Sequence, residues 1–371
     1  KRQEKVYTRS IKGHFQRLRL YTGWPLLMAY FVLPWCSWRG HPIVLLDIPE
    51  RKFHLFGVTY WPQDFPLLAA LLIIAAFLLF AVTNFLGRVW CGYTCPQTVW
   101  TAVFMWAEQF CEGSRNQRIK RDKSPLSLDK VWRKVCKHGM WLGFALLTGV
   151  TFVGYFYPIG SLILEIGGGL CQTIGLCSQP GSNSVSLVSW SCFWVLFFMA
   201  ATYINAGWLM EQVCLYMCPY ARFQSAMFDK DTLIVSYNKS RGESRGARKR
   251  NEKPNEGLGD CIDCKICVQV CPTGIDIRNG LQVECINCAL CIDACNSVMR
   301  KMQYPLNLIS YTTENTLAGK PSKFFRPRLL AYVGVLSFIV LSFIWVLLTR
   351  ETLTLDIKKD RQQLYTEQRD G

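Results

Sequence analysis

Histidine is scarce in this chain: four among 371 residues, His14, His41, His54 and His138. None lies in a charge-free run, and a membrane b-type haem needs a pair of histidines there, so that cofactor is not expected. No glycine-rich phosphate loop is present, and no Gly-x-Gly-x-x-Gly follows a strand-like run, so a nucleotide cofactor has no cradle. Acidic residues are in deficit, 26 against 42 Lys and Arg, leaving a formal charge of +16. Charge is missing altogether from five stretches, residues 21–38, 67–86, 140–157, 185–210 and 329–348. Each approaches the ~20 residues that cross a bilayer as a helix. A buried soluble helix is the plainer reading of any one of them, but such helices are shorter and one-sided, and five together argue for a membrane.

The remaining charge sets an orientation. Residues 1–20 hold seven Lys or Arg, residues 111–138 nine and residues 211–328 seventeen, against three in 39–65 and none in 158–184. Five spans then place the N-terminus and both large basic loops in the cytoplasm and the C-terminus outside. Topology and anionic lipid account for the basic excess, so nucleic acid is not an expected partner and the bilayer is. No small-residue cleavage site follows the first run, which reads as an anchor and not as a removed signal. Residues 92–107 are apolar but too short to cross; crossing would also move nine positive charges outside, so a half-span or interfacial helix is expected. Residues 159–177 contain Gly167-Gly168-Gly169 and Glu165 and read as a surface or re-entrant loop on the outer side.

What the chain has in abundance is cysteine, eighteen in all. Eight of them form Cys261-x-x-Cys264-x-x-Cys267-x-x-x-Cys271-Pro272 and Cys285-x-x-Cys288-x-x-Cys291-x-x-x-Cys295. This is the spacing of a ferredoxin with two 4Fe–4S clusters, in which the fourth cysteine of each run ligates the other run's cluster. Cys261, Cys264, Cys267 and Cys295 are therefore expected on one cluster, and Cys285, Cys288, Cys291 and Cys271 on the other. Zinc and disulfides are the rival readings; two interleaved copies of this run are improbable for either. Asn296 stands after Cys295 where a second proline is expected, which removes no ligand. A cytoplasmic position suits clusters, whose assembly needs reduced thiolates.

A second cysteine pattern is repeated at two span ends, Cys91-Gly-Tyr-Thr-Cys95-Pro96 and Cys214-Leu-Tyr-Met-Cys218-Pro219. Each runs into an apolar, aromatic segment, which points to an internal duplication at the cytoplasmic membrane face. Cysteines at i and i+4 share a helix face. Proline favours the first position of a new helix, so Cys95 and Cys218 should sit at helix N-termini, where the dipole favours thiolate. Thiolate is a soft donor suited to Cu(I), zinc or iron–sulfur, and two pairs could converge on one metal. Ordinary packing cysteines are the plainer reading. Cys171 and Cys177 are candidates for an outer disulfide or for buried thiols, Cys36 and Cys192 read as packing residues, and Cys111 and Cys136 flank a basic loop without a motif.

The organisation that follows is a cytoplasmic segment (1–20) and a membrane region (21–228) with spans near 21–38, 67–86, 140–157 and 185–210. After these come a basic linker (229–259) that includes a strand-like run (232–237), a two-cluster domain (260–310), a second linker (311–328), a last span (329–348) and an outer stretch (349–371). The fold class is a polytopic α-helical membrane protein with an inserted α+β ferredoxin-like domain. Arg241, Arg245, Arg248, Lys249 and Arg250 in the first linker are candidates for docking on lipid headgroups.

Trp90-Cys91-Gly92-Tyr93-Thr94-Cys95-Pro96, the run from Cys214 through Tyr220 to Phe228, Gly259-Asp260-Cys261-Ile262-Asp263-Cys264 and the two cluster runs together resemble the CcoG family, also called FixG or RdxA. The resemblance extends over nearly the whole chain. It implies a multi-pass protein of the bacterial inner membrane that reduces Cu(II) to Cu(I) during assembly of a cbb-type haem–copper oxidase. It also implies a β-sandwich outside the membrane after the last span, of which only the first residues would be present. Copper at Cys91, Cys95, Cys214 and Cys218, and oxidase assembly factors or copper chaperones and transporters as partners, follow from the same resemblance. The electron donor and the oligomeric state stay open, a homodimer included. NapH and NosR, quinol dehydrogenases with similar cysteine patterns, supply the rival expectation that quinol is oxidised and the four membrane-face cysteines hold a further cluster or a structural link. A non-catalytic assembly scaffold or redox sensor is the third.

Overall fold

The computed structural model describes residues 6–38, 41–173, 190–248 and 257–349. The chain opens on α1 (His14–Val32), carrying Pro25. Short strands follow, β1 (Ser37–Trp38) paired with β2 (His41–Pro42), then an antiparallel sheet of β3 (Val44–Asp47), β4 (Lys52–Leu55) and β5 (Val58–Tyr60). Helix α2 (Phe65–Leu86) is almost wholly apolar, carries a proline in its first turn and is capped by Gly87. After α2 come α3 (Val89–Tyr93), α4 (Pro96–Glu112), α5 (Arg115–Lys123) and the long α6 (Leu128–Gly154). Helix α7 (Ile159–Thr173) and α8 (Trp190–Thr202) precede two π-helical segments, Tyr203–Leu209 and Val213–Met217. The rest comprises α9 (Pro219–Met227), β6 (Ile234–Tyr237), α10 (Lys239–Gly242), α11 (Ile266–Val270), α12 (Leu290–Met302), β7 (Ile309–Thr312), α13 (Glu314–Leu317) and α14 (Pro327–Thr349).

Among the described residues, three helical stretches are long and apolar enough to cross a membrane: Pro62–Leu86, Trp190–Leu209 and Pro327–Thr349. Their large side chains face outward, as Leu72, Phe197, Phe338 and Trp345 do, and an apolar surface without protein cover suits lipid. The other two charge-free runs fall mainly on α1 and α6, which carry basic residues at their starts. The expected span at 185–210 is described only from Trp190 onward. Helices α6 and α8 lie so close that a Cβ on Gly149 would stand 2.7 Å from the Val195 carbonyl oxygen. Phe152 and Phe198 pack between them at 4.1 Å. On the other side, α14 lies along α2 through Phe80 and Tyr332.

The loop expected at 159–177 is instead helical as far as Thr173. Leu162 is fully buried against Val153 and Val195, and that packing outweighs the ~1 kcal/mol by which each glycine disfavours helix. Nothing is described of residues 174–189, so the Cys171–Cys177 disulfide lies outside the described residues, as does the outer stretch from 350 onward with its expected β-sandwich.

The cluster domain is wider than its cysteine runs. β6 pairs antiparallel with β7, Ile234 opposite Thr312 and Tyr237 opposite Ile309. Both expected linkers therefore contribute a strand to the domain. Val235, Ile277, Ile292, Met299, Leu308 and Ile309 form its core. The basic run between Asn238 and Gly259 is not a free tether over its described part. Arg241 pairs with Asp260 at 2.7 Å, Arg245 pairs with Glu243 at 2.7 Å, and Arg248 lies over the Tyr304 ring. Arg241 and Arg248 thus fold back on the domain and Arg245 on its neighbour Glu243; Lys249 and Arg250 lie outside the described residues.

The domain is fastened to the membrane helices at several points. Leu233 donates its N–H to the Phe85 carbonyl at 3.1 Å and Arg9 to Gln269 at 2.8 Å. The Gln16 N–H donates to Asp293 at 2.9 Å. Arg115 donates to the Tyr7 carbonyl at 2.8 Å. The N-terminal segment, the basic loop after α4 and the cluster domain thus share one end of the molecule.

Candidate metal centres and the membrane-face cysteines

The two cluster runs fold into matching loops. Asp263 and Lys265 in the first, and Asn287 and Ala289 at the same places in the second, have left-handed backbone (φ 50°, 54°, 53° and 58°). Residues alternating into this conformation turn successive N–H groups toward one point and form a nest, an arrangement common around iron–sulfur centres. Asp and Asn tolerate it best. Lys265 and Ala289 adopt it at a cost on the order of 1 kcal/mol each. Each loop runs into a short helix, α11 and α12.

Two apolar cavities lie inside these loops. Cys261, Cys264, Cys267 and Cys295 line one, with Lys265 and Arg278. Cys271, Cys285, Cys288 and Cys291 line the other, which shares Cys267 with the first. Each four-cysteine set draws three members from one run and one from the other. Among the described residues, no three His, Cys, Asp or Glu side chains meet at single-ion spacing. A cluster takes one thiolate per iron around a cube, so its ligands ring a void and do not meet at a point. The residues present therefore fit 4Fe–4S clusters better than zinc. Burial raises the thiols Cys267, Cys285 and Cys295 to about 12, and raises Cys288 and Cys291 as well. Without a cation they stay protonated, so cluster insertion must displace protons. Arg278, buried between Asp276 and Asp263, brings positive charge to the first cavity.

The repeated pairs lie next to the second cavity. Pro96 opens α4 and Pro219 opens α9, with Cys95 and Cys218 as the N-caps. The pairs do not share a continuous helix: Cys91 is in α3 and Cys214 in a π-helical segment, and each helix breaks before its second cysteine. All four sulfurs are near enough to act on one another electrostatically: Cys91 is influenced by Cys95, Cys214 and Cys218, and Cys214 by Cys95 and Cys218. As they stand they do not close on one ion. Burial is the leading influence on three of them, moving Cys91 to about 12, Cys214 to about 11 and Cys95 upward. At Cys95 the N–H groups of Gln97 and Thr98 act the other way, as the dipole argument expects, but burial outweighs them.

Three residues that sequence reasoning missed hold this arrangement together. Arg88 is 3% exposed. It donates to the carbonyls of Val283 and Ala221, and its charge acts on Cys91, Cys214, Cys218 and Cys285. It therefore stands between the second cavity and both pairs. Gln224, from the second copy, accepts from the Cys91 thiol at 3.2 Å. Gln97, from the first copy, donates to the Asn205 and Met210 carbonyls at 2.9 and 3.1 Å, beside the π-helical turn. The sequence signals are positional: Arg88 and Gln97 flank the first cysteine pair, and Gln224 lies within the Cys214–Phe228 run that carries the resemblance, where it has no assigned role. Gly92 completes the contact, because a Cβ there would stand 2.8 Å from the Ile286 oxygen and 3.0 Å from the Cys288 Cα.

These features define a membrane-bound iron–sulfur electron-transfer protein. The 4Fe-4S dicluster domain family matches residues 209–314, and the 4Fe-4S binding domain family matches residues 68–112, including Cys91 and Cys95. Nitrogen fixation protein FixG of Rhizobium meliloti is 38% identical, over 100% of this chain and 75% of its own length. Protein RdxA of Cereibacter sphaeroides is 39% identical, over 99% of this chain and 76% of its own length. Protein RdxB of the same organism is 36% identical, over 100% and 77%. The chain belongs to the FixG/RdxA family. No solved structure matches it.

Proposed function

We propose that this protein is a cupric reductase of the bacterial inner membrane, with the cluster domain on the cytoplasmic side, and that it supplies Cu(I) for assembly of a cbb-type haem–copper oxidase. The observation that carries the reading is the position of Cys91, Cys95, Cys214 and Cys218 against the second cysteine cavity, bridged by Arg88 and touching at Gly92. The ligand sets are the two cavity linings, Cys261, Cys264, Cys267 and Cys295, and Cys271, Cys285, Cys288 and Cys291. When bound, the clusters supply one-electron reducing equivalents.

The chain's own residues then do three things. Arg88 holds positive charge beside sulfur, which works against the burial that raises Cys91 and Cys214. The four cysteines approach a Cu(II) substrate from two interlocked copies of one motif. As thiolates they bind Cu(I) better than Cu(II), so holding the product favours reduction. Each Cu(II) takes up one electron, and the thiols that bind it release their protons. Oxidase assembly factors and copper chaperones or transporters are the proposed recipients of this Cu(I), as the family resemblance implies.

The test replaces Cys91 and Cys95 by serine and assays anaerobic Cu(II) reduction, with the clusters checked by paramagnetic resonance. A large loss of reduction with intact clusters is expected; unchanged copper reduction and binding would overturn the proposal.

A second reading, quinol oxidation, has its own observation. A cavity of about 600 Å³ opens between α1, α4 and the cluster domain, lined by Arg19, Trp24, Phe31, Tyr93 and Gln109, and reaching Pro272 beside Cys271. Its size suits an organic ligand, and the 4Fe-4S binding domain match at residues 68–112 favours a further cluster at the membrane face. Cluster reduction by a quinol analogue in liposomes would favour this reading.

A further inference from the structure

Outside the cysteine runs and the repeated pairs, the structure brings together three sulfurs that sequence spacing does not connect. Cys111, on the last turn of α4, has its Sγ 3.0 Å from the Sγ of Cys136 and 3.3 Å from the Sδ of Met140. Cys136 and Met140 lie one turn apart on α6, so they present sulfur from one helix face. Cys111 is 5% exposed.

The surrounding charge holds the two helices that carry these sulfurs together. Glu112, next to Cys111, pairs with Lys137, next to Cys136, at 3.0 Å, with both side chains buried. Glu108 pairs with Arg118 at 2.8 Å, again buried. Two carboxylates meet two cations, so the protein charges around the sulfurs balance. Breaking a buried pair strands a charge and is strongly unfavourable, so the ends of α4 and α6 stay in register. Arg133 adds a hydrogen bond to the Cys111 carbonyl at 3.1 Å.

We propose that Cys111, Cys136 and Met140 form a site for a soft monovalent metal ion, Cu(I). Two thiolates and a thioether are a donor set that selects Cu(I) over harder ions. Binding one Cu(I) releases one proton from each thiol and none from Met140; no electron is transferred. The sulfurs, 3.0 and 3.3 Å apart, part by about 1 Å to seat an ion bonded to each at about 2.3 Å. The complex carries one net negative charge, set beside two ion pairs that are already balanced, Lys137–Glu112 and Arg118–Glu108. Cys111 is at the opposite end of α4 from Cys95, so this site is distinct from the membrane-face cysteines. It rests on the reductase reading only for the source of Cu(I); binding itself stands alone.

The test titrates the purified full chain with pre-reduced Cu(I), without air, against a competing Cu(I) chelator. Wild type should bind one more equivalent than Cys111→Ser/Cys136→Ser, and the same difference should persist when Cys91, Cys95, Cys214 and Cys218 are all serine. Met140→Leu keeps the volume and should weaken the site at least about tenfold, since even partners one shell further out cost 10–100-fold. In wild type, Cu(I) should protect Cys136, the half-exposed thiol of the pair, from alkylation, a readout that needs no variant. Equal stoichiometry in the double-serine variant, no protection, or a Cys111–Cys136 disulfide in anaerobically purified protein would each overturn the site. Failure of Cu(II) reduction with this binding intact would overturn only the reductase reading.

Discussion

The two copies of Cys-x-x-x-Cys-Pro begin alike and come to rest in different surroundings. Both place the second cysteine as a helix N-cap before a proline. In the first copy, the residues between the cysteines press on the cluster domain: Gly92 meets the Ile286–Cys288 backbone, and Tyr93 is 6% exposed. In the second, the matching residues are Leu215 and Tyr216, on a π-helical segment with no buried residue, and Tyr216 is 70% exposed. Duplication thus supplies equivalent sulfurs in unequal roles. All four sulfurs are half-buried, but Gly92 and Tyr93 between the first pair are built into the contact with the second cluster cavity, while Tyr216 and Met217 between the second pair face outward. The open copy carries the looser π-helical backbone, a form often found at functional sites.

Four experiments can break or sharpen this contrast. Tyr93→Ala removes a buried aromatic and should cost about 3–5 kcal/mol, whereas exposed Tyr216→Ala should stay within about 0.5 kcal/mol. Thermal loss of the folded, cluster-bearing protein measures both, and equal losses would end the contrast. Gly92→Ala forces a Cβ against backbone and should cost about 1–3 kcal/mol; Leu215→Ala, in the open copy, should cost less in the same assay. Arg88→Met removes a buried positive charge beside Cys285. An interaction of ~1.4 kcal/mol corresponds to about 60 mV for one electron. The potential of the second cluster should fall by roughly that much in a redox titration, with the first cluster less affected.

The smallest effect is acid-dependent. Arg278 holds the Asp276 carboxyl below the ordinary carboxylate range. A carboxyl lowered on folding stabilises the protein above its unfolded pKa, and that contribution is lost as pH falls through the lower, folded value. The pair is partly screened by solvent, which limits it to about 1 kcal/mol. Asp276→Asn should therefore flatten the fall in melting temperature between about pH 5 and 3.

What the sequence reveals of this site follows a physical rule. Features fixed within a few residues are legible: the cluster runs, the prolines that start α4 and α9, and the strand-like run at 232–237, which lies at Ile234–Tyr237. Features that depend on distant segments meeting are not. Arg88 matters because Val283 and Ala221 come to it, and Cys111 gains meaning only through Cys136 and Met140. The supposed linkers read as solvated because their polar residues are satisfied by partners far along the chain, as Arg241 is by Leu306. Gly167 and Gly168 disfavour helix locally, yet α7 forms because Leu162 anchors it against Val153 and Val195.

The central claim is that electrons held in the cluster domain leave through the four membrane-face cysteines to copper. Freeze-quench paramagnetic resonance after mixing pre-reduced protein with Cu(II) tests it directly. The reduced-cluster and Cu(II) signals should vanish together, one electron per ion, in wild type, and both should persist when Cys91, Cys95, Cys214 and Cys218 are serine. Equal decay of the two signals in that variant would contradict the account.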